Sequence, residues 1–219
     1  MPKISEVTPQ KKNPRRFNVF LDGQFAFGAD EDLVVEHRLV VGKEFTISDV
    51  ERLLFEAEVG KLMERMYGLF NIRQRSEKEV RDYLKNLSFK RKVKDKEEIS
   101  DIAIESLIEK LKQKRLLNDA QFAKAWVSAR RRSKNKGKIA LKSELYQKGI
   151  NREIVDEILE ESTPESEREL AKSALEKKWK IWLPLPYLEK KKKAYEFLMR
   201  RGFEYEIIKV VVENIDKLE

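Results

Sequence analysis

The sequence predicts a mainly α-helical fold: tandem three-helix repeats forming an elongated, curved array, with a small N-terminal β-hairpin region. Three observations carry this. Apolar residues recur at three- and four-residue spacing through most of the chain, the period that puts side chains on one helix face. Only 8 Gly and 6 Pro occur in 219 residues, which leaves little room for a turn-rich β-fold. Finally, LYQKGINREIVDEIL (145–159) lines up without gaps against LMRRGFEYEIIKVVV (198–212), matching Leu145 to Leu198, Lys148 to Arg201, Gly149 to Gly202, Ile150 to Phe203 and Ile154 to Ile207. YLKNLSF (83–89) is a weaker copy, with Ser88 in the glycine place. A glycine there lets a helix end in a left-handed turn while the next apolar residue folds back on it. One such unit cannot bury its own faces, and stacking several gives a continuous core. The organisation is therefore an N-terminal region, 1–56, and three helical repeats, 57–117, 118–162 and 163–219.

Residues 1–29 hold the β signal. Ile4–Val7 reads as a short strand, and Arg15–Leu21 and Gln24–Gly28 alternate apolar with polar around Asp22-Gly23, a two-residue hairpin turn. A lone hairpin is marginal in water, so it should lie on helices or beside the first strand. Asp30–His37 reads as a short helix with acids in its first turn, and Val40–Phe45 as a connector. Ser48 with Glu51 has capping-box spacing and opens a long helix that Gly60 interrupts. Ser76 with Glu79 caps the next helix, whose face is Val80, Tyr83, Leu84 and Leu87. Lys90–Lys96 reads as a charged insertion, and Ile99–Lys114 as a helix with Ile102, Leu107, Ile108 and Leu111 on one side.

The central pair follows. Asn118 can cap a helix with Gln121 at its third position and Phe122, Ala125, Trp126 and Ala129 on its apolar side. Arg130, Arg131 and Arg132 close that helix, where cations suit the negative end of the dipole. A basic turn, Ser133–Gly137, leads into a second helix carrying Ile139, Leu141, Leu145 and Tyr146, which stops at Gly149. Asn151–Glu161 is another helix. Thr163-Pro164 starts the next, since proline suits a first helical position, and Trp179–Pro186 breaks it. A helix from Tyr187 to Arg201 ends at Gly202, and a last one runs from Glu204 to the terminus.

Charge is the best functional clue. From Arg130 to Lys148 there are eight Lys/Arg against one acid, Glu144, while the whole chain is only +8. The positive excess is concentrated there and suits a polyanion or an acidic protein patch. Cations recur at repeat-equivalent places: Arg73, Arg75 and Arg81 in the first repeat, Lys190–Lys193 with Arg200 and Arg201 in the third. The bland reading of such a run is a solvated helix end. Trp126 lies on an apolar face and reads as core rather than as a base-stacking platform; Trp179 and Trp182 read as packing. His37, the single histidine, reads as a surface residue, and Asp30-Glu31-Asp32 as a dipole-favoured first turn rather than a metal site.

Much is excluded. Without Cys there is neither a disulfide nor a thiolate metal site, which fits a reducing, cytoplasmic interior. No apolar run approaches the ~20 residues that cross a bilayer, the N-terminus has no hydrophobic signal core, and Asn86-Leu-Ser88 is a chance sequon. Gly42-Lys43, Gly60-Lys61 and Gly137-Lys138 lack the rest of a phosphate-binding loop, and nothing matches a dinucleotide fingerprint, a zinc helix or a nucleophile triad. The expectation is a protein that is no enzyme and holds no cofactor or metal.

The hairpin RFNVFLDGQFAFG, RSEKEVRDYL (75–84), LLNDAQFAKAWVSAR (116–130), KGKIALKSELYQKGI (136–150) and FLMRRGF (197–203) together resemble the RecX family of bacterial RecA regulators over nearly the whole chain. Asn118 stands where aspartate is more usual in that family and Lys138 where proline is common; Lys90–Lys96 is the larger departure. The resemblance implies a monomeric modulator, usually inhibitory, that lies in the helical groove of the RecA–DNA filament and suppresses ATP hydrolysis, strand exchange or filament growth, with weaker, nonspecific binding to single- and double-stranded DNA. The candidate contact residues are Arg130, Arg131, Arg132, Lys134, Lys136, Lys138 and Lys142, extended by Arg73, Arg75, Arg81, Arg200 and Arg201. The rival readings are a sequence-nonspecific nucleic-acid-binding helical module acting without RecA, and a helical scaffold for another acidic protein.

Overall fold

The computed structural model describes residues 1–11 and 13–214, and Lys177 by its main chain alone. Three strands, β1 (Ile4–Gln10), β2 (Asn13–Leu21) and β3 (Gln24–Asp30), precede ten helices among the described residues. These are α1 (Glu31–Glu36), α2 (Ile47–Phe70), α3 (Glu77–Lys92), α4 (Asp101–Gln113), α5 (Asp119–Lys134), α6 (Lys138–Gln147), α7 (Arg152–Glu160), α8 (Pro164–Trp182), α9 (Tyr187–Arg201) and α10 (Tyr205–Asn214). They form two compact units, the first made of Met1–Arg75 and Val80–Leu117, the second of Ser76–Glu79 and the chain from Asn118 onward.

In the first unit the strands form an antiparallel sheet in the order β1-β2-β3. Asp22 and Gly23, at φ 49° and 83°, make the tight turn, a left-handed backbone that aspartate tolerates and that glycine, lacking a Cβ, adopts freely. The strands run longer than the alternating pattern indicates, because pairing continues to Gln10–Asn13 and Arg16–Asp30 beyond the apolar stretch. Ile4, Val19, Phe27 and Ala29 on one sheet face are buried with Leu33, Leu53 and Ala57. The carboxylate of Asp30 accepts the Leu33 amide and caps α1.

α2 begins two residues earlier than expected. Its capping box is Thr46 with Asp49, not Ser48 with Glu51, because Thr46 is the last extended residue and Ser48 already lies in the helix. α2 is also continuous through Gly60; the missing side chain there makes room for the Asp30 carboxylate rather than breaking the helix. The second half of α2 packs with α3 and α4 through Leu62, Met66, Leu84, Leu107 and Leu111. α3 does not stop at Ser88 but continues to Lys92, so the first part of the charged insertion is helical. The buried Ser88 hydroxyl instead accepts the Ile99 amide. Ser100 caps α4, and Ala103 and Ile104, rather than the exposed Ile102, join Leu107, Ile108 and Leu111 inside.

In the second unit one cluster joins α5, α6 and α7 through Phe122, Ala123, Val127, Leu141, Leu145, Val155 and Leu159. A second joins α8, α9 and α10 through Leu175, Trp179, Phe197, Leu198, Ile208 and Val212. The α5 face is shifted from the expected one: Ala125 and Ala129 are exposed and Ala123 and Val127 face inward. Likewise Ile139 and Tyr146 of α6 are exposed while Leu141 and Leu145 are fully buried. Gly149 and Gly202 sit at φ 77° and 81°. After each, an apolar residue turns back: the Ile150 amide donates to Leu145 O and the Phe203 amide to Leu198 O, and both side chains are buried. α8 carries both Trp179 and Trp182, so the break is confined to the residues between Trp182 and Tyr187. The expected final helix is observed from Tyr205 to Asn214; its expected extension over 215–219 lies outside the described residues.

Candidate binding surface

The basic stretch is the end of α5, a turn and the start of α6. Asn118 caps α5 by accepting the Gln121 amide. Asn135 ends the helix in the left-handed region, at φ 43°, with its amide on Arg131 O. Gly137 then opens α6 with no side-chain cap of its own. The free amides at this helix start find acceptors elsewhere in the unit: Gly137 on Arg201 O at 2.9 Å, Ile139 on Gly202 O at 2.9 Å, and Lys138 on the Glu167 carboxylate at 3.3 Å.

The cations are less free than their count in the sequence suggests. Arg130 Nε lies 2.8 Å from Glu144, its guanidinium stacked 4.3 Å over the Trp126 ring. Lys136 is 3.6 Å from the other oxygen of Glu144. Arg131 reaches Glu167 at 2.6 Å and the Ser162 hydroxyl. Lys142 reaches Asp156 at 2.7 Å, which raises the lysine and holds the Asp156 carboxyl below its ordinary range, first through their hydrogen bond. Lys148 pairs with Glu79 and stands 5.0 Å above the Trp126 ring. Against the seven cations from Arg130 to Lys142 thus stand three carboxylates, Glu144, Asp156 and Glu167, and two of these come from α7 and α8. Arg132 and Lys134, both exposed, and the half-buried Lys138 make no side-chain ion pair among the described residues.

Arg200 is exposed, 4.0 Å from Glu196, and the half-buried Arg201 lies over the Phe197 ring. The main-chain bond from Gly137 to Arg201 brings the end of α9 against this basic turn. Arg73, Arg75 and Arg81 belong to the first unit. Arg73 donates to Gln74 O, the buried Nε of Arg75 meets no acceptor among the described residues, and Arg81 makes a two-pronged pair with Glu105. That pair holds the Glu105 carboxyl below its ordinary range, chiefly by its hydrogen bond.

Trp126 is half-buried at the margin of its cluster rather than within it, stacked on Phe122 with its indole N–H on Glu144 at 2.8 Å. Trp179 is buried and Trp182 packs edge-on against Phe197. His37 is not a free surface residue: its Nε2 lies 2.6 Å from Glu56 and its side chain is 16% exposed. No group of three or more His, Asp or Glu among the described residues is placed to hold a metal ion, and none of their helices is long and apolar enough to cross a membrane.

Family models for RecX match this chain in three places: the N-terminal domain of regulatory protein RecX over residues 2–46, the second three-helix domain over 118–159 and the third over 165–212. The "Regulatory protein RecX" of Bacillus velezensis is 35% identical over 216 residues, covering 99% of this chain and 78% of that protein. The protein of the same name from Bacillus subtilis matches to the same extent. A solved structure, "Crystal structure of regulatory protein RecX", superimposes with a TM-score of 0.76 at 25% identity, covering 97% of this chain and all of that one. Similarity of this extent, running through sheet, basic turn and glycine-ended helices alike, shows that the chain belongs to the RecX family of regulatory proteins.

Proposed function

We propose that this protein binds the RecA–DNA filament in its helical groove, bridging neighbouring protomers, and modulates, mostly by inhibition, RecA ATP hydrolysis, strand exchange and filament growth in recombination and DNA repair. It acts as a cytoplasmic monomer, makes and breaks no bond, and works through unequal affinity for filament states. Family membership supports the regulatory role. The single observation that carries the contact surface is the cationic turn between α5 and α6, where the side chains of Arg132, Lys134 and Lys138 make no ion pair among the described residues and can meet phosphates or acidic side chains. Arg130, Arg131, Lys136 and Lys142 shape this surface through their pairs, and Arg200 and Arg201 adjoin it. Arg73, Arg75 and Arg81 are proposed contacts of the first unit.

The test reverses the unpaired cations alone. Arg132→Glu, Lys134→Glu and Lys138→Glu, combined, should abolish inhibition of the cognate RecA ATPase while helicity by circular dichroism is unchanged. Full inhibition by the folded triple variant removes this turn from the mechanism. If the wild type binds bare single-stranded DNA as tightly as it binds RecA filaments, the reading as a nucleic-acid-binding module replaces this one.

A further inference from the structure

Three donors converge on one carboxylate in the second unit. The indole N–H of Trp126 and Nε of Arg130 both lie 2.8 Å from Oε2 of Glu144, and the Lys136 ammonium lies 3.6 Å from its Oε1. None of this is sealed: the side chains of Arg130, Glu144 and Lys136 are 29%, 22% and 22% exposed, so water and ions reach the cluster. Glu144 is also the only acid between Arg130 and Lys148. We infer that Trp126, Arg130 and Lys136 form a subsite for one phosphodiester group, and that Glu144 occupies it in the free protein as an internal stand-in for the phosphate.

The chemistry of the donors supports this. A guanidinium edge, an indole N–H and an ammonium spread over two oxygens suit any anion with two oxygens on one centre, which describes both a carboxylate and the non-bridging pair of a phosphodiester. A tethered carboxylate competes well against a lone anion. It competes poorly against a polymer already held by other charges, because each further contact is then intramolecular. Lys134 lies one turn beyond Arg130 on the same helix face and makes no ion pair among the described residues, so it can hold the next charge of such a polymer. A carboxylate of an acidic peptide would fit the same three donors; the run of unpaired cations alongside, Lys134 and Lys138, favours the regularly charged nucleic-acid backbone. The arrangement sets a threshold: isolated phosphates are refused, and a strand engaging several cations displaces Glu144. This rests on the reading above that the basic turn meets a polyanion, and it names the group that one part of the turn would take.

The experiment uses the full chain, a fluorescently labelled oligothymidylate and no RecA. Glu144→Gln keeps the shape and an acceptor for Trp126 but removes the charge. Its affinity should rise by about five- to tenfold at low salt, and the slope of log K against log salt should steepen by about 0.7 to 1.4, one or two further phosphate contacts on a single strand. Adding Arg130→Gln should cancel the gain. Glu144→Asp, which keeps the charge but draws it back by one methylene, should give a smaller gain of the same sign and serves if the Gln variant unfolds. Unchanged or weaker oligonucleotide binding by a folded variant overturns the subsite, as does a gain for polyglutamate without one for the oligonucleotide. Normal inhibition of RecA by the wild type together with that negative result would leave the filament reading standing and the subsite refuted. The reverse pair of results would refute the filament reading and keep the subsite.

Discussion

The amide of Gly137 donates to the carbonyl of Arg201 at 2.9 Å, so the start of α6 is closed by the end of α9. A related contact, made by a side chain, occurs once more within the second unit. Lys148, which aligns with Arg201, offers its carbonyl to the Ser76 hydroxyl at 2.7 Å, and Ser76 stands immediately before α3 as Gly137 does before α6. In both places the residue before a left-handed glycine offers its carbonyl to the residue that stands just before another helix, to a main-chain amide in one case and a side-chain hydroxyl in the other.

This geometry makes Gly202 hard to replace. A side-chain carbon there would collide with the Ala140 nitrogen and Cβ, and the residue is held at φ 81° besides. Gly202→Ala should cost about 2–4 kcal/mol, adding overpacking to left-handed strain. At Gly149 the added carbon would meet only the Lys78 side chain, 2.7 Å from its Cβ, so Gly149→Ala should cost less, about 1–2 kcal/mol. Urea unfolding of the two variants checks the ranking, and equal losses would show that Gly202 is not pinned.

A second prediction concerns Glu167, which is buried with Arg131 at 2.6 Å and the Lys138 amide at 3.3 Å. Burial pushes its carboxyl above the ordinary value of 4.5, opposed first by Arg131. A raised acid favours the folded state while it is protonated: that contribution is complete below the unfolded value and is lost as pH rises through the folded one. Removing Arg131 leaves the ionised carboxylate buried without its counter-charge. Arg131→Ala should therefore destabilise by about 2–4 kcal/mol near neutral pH and clearly less near pH 4, where Glu167 carries its proton. Urea midpoints at the two pH values decide the matter, and a gap no wider at neutral pH sinks the idea.

The helices and the glycine-ended repeat were legible because they rest on local rules: spacing, caps such as Asn118 and Thr163, and the left-handed need at Gly149 and Gly202. What was not legible depends on contacts distant in sequence. Nothing near Arg131 or Lys142 announces that Glu167 and Asp156 will neutralise them, so a sequence window around the basic turn overstates its field. Capping signals two residues apart are equally ambiguous, since Thr46 and Ser48 are both good caps and only the path of the chain entering α2 selects Thr46. Trp126 shows the limit of a binary pattern. Its position on an apolar face was right, yet its indole N–H reaches a carboxylate at the margin of the core, a role that apolar spacing does not encode.

Ser88 offers a third test. Its alignment with the glycines suggested a helix stop, but the helix continues and the hydroxyl takes up the Ile99 amide at 3.0 Å in a buried setting. Ser88→Ala should leave that amide without an acceptor and cost about 1–2 kcal/mol. Ser88→Gly should cost about 1 kcal/mol more, because the residue lies inside a helix and not at its end. Hydrogen exchange at the Ile99 amide should quicken in both. An unchanged exchange rate would mean that the bond contributes nothing in solution.

The last test separates two residues that the apolar pattern placed on one face of α6. Leu145 is fully buried among Phe122, Leu141, Val155 and Leu159, whereas Ile139 is 56% exposed at the start of the helix. Truncating Leu145 removes transfer energy and leaves a cavity in a rigid cluster, so Leu145→Ala should cost about 2–5 kcal/mol. Ile139→Ala loses little burial and gains some helix propensity, so its effect should stay within about 0.5 kcal/mol. The Ile139 amide, which bonds to Gly202 O, is untouched by either change. Denaturant midpoints with unchanged m-values would establish the contrast. A loss above about 1 kcal/mol at Ile139 would mean that its side chain packs in solution, and that the exposed edge of α6 is part of the core after all.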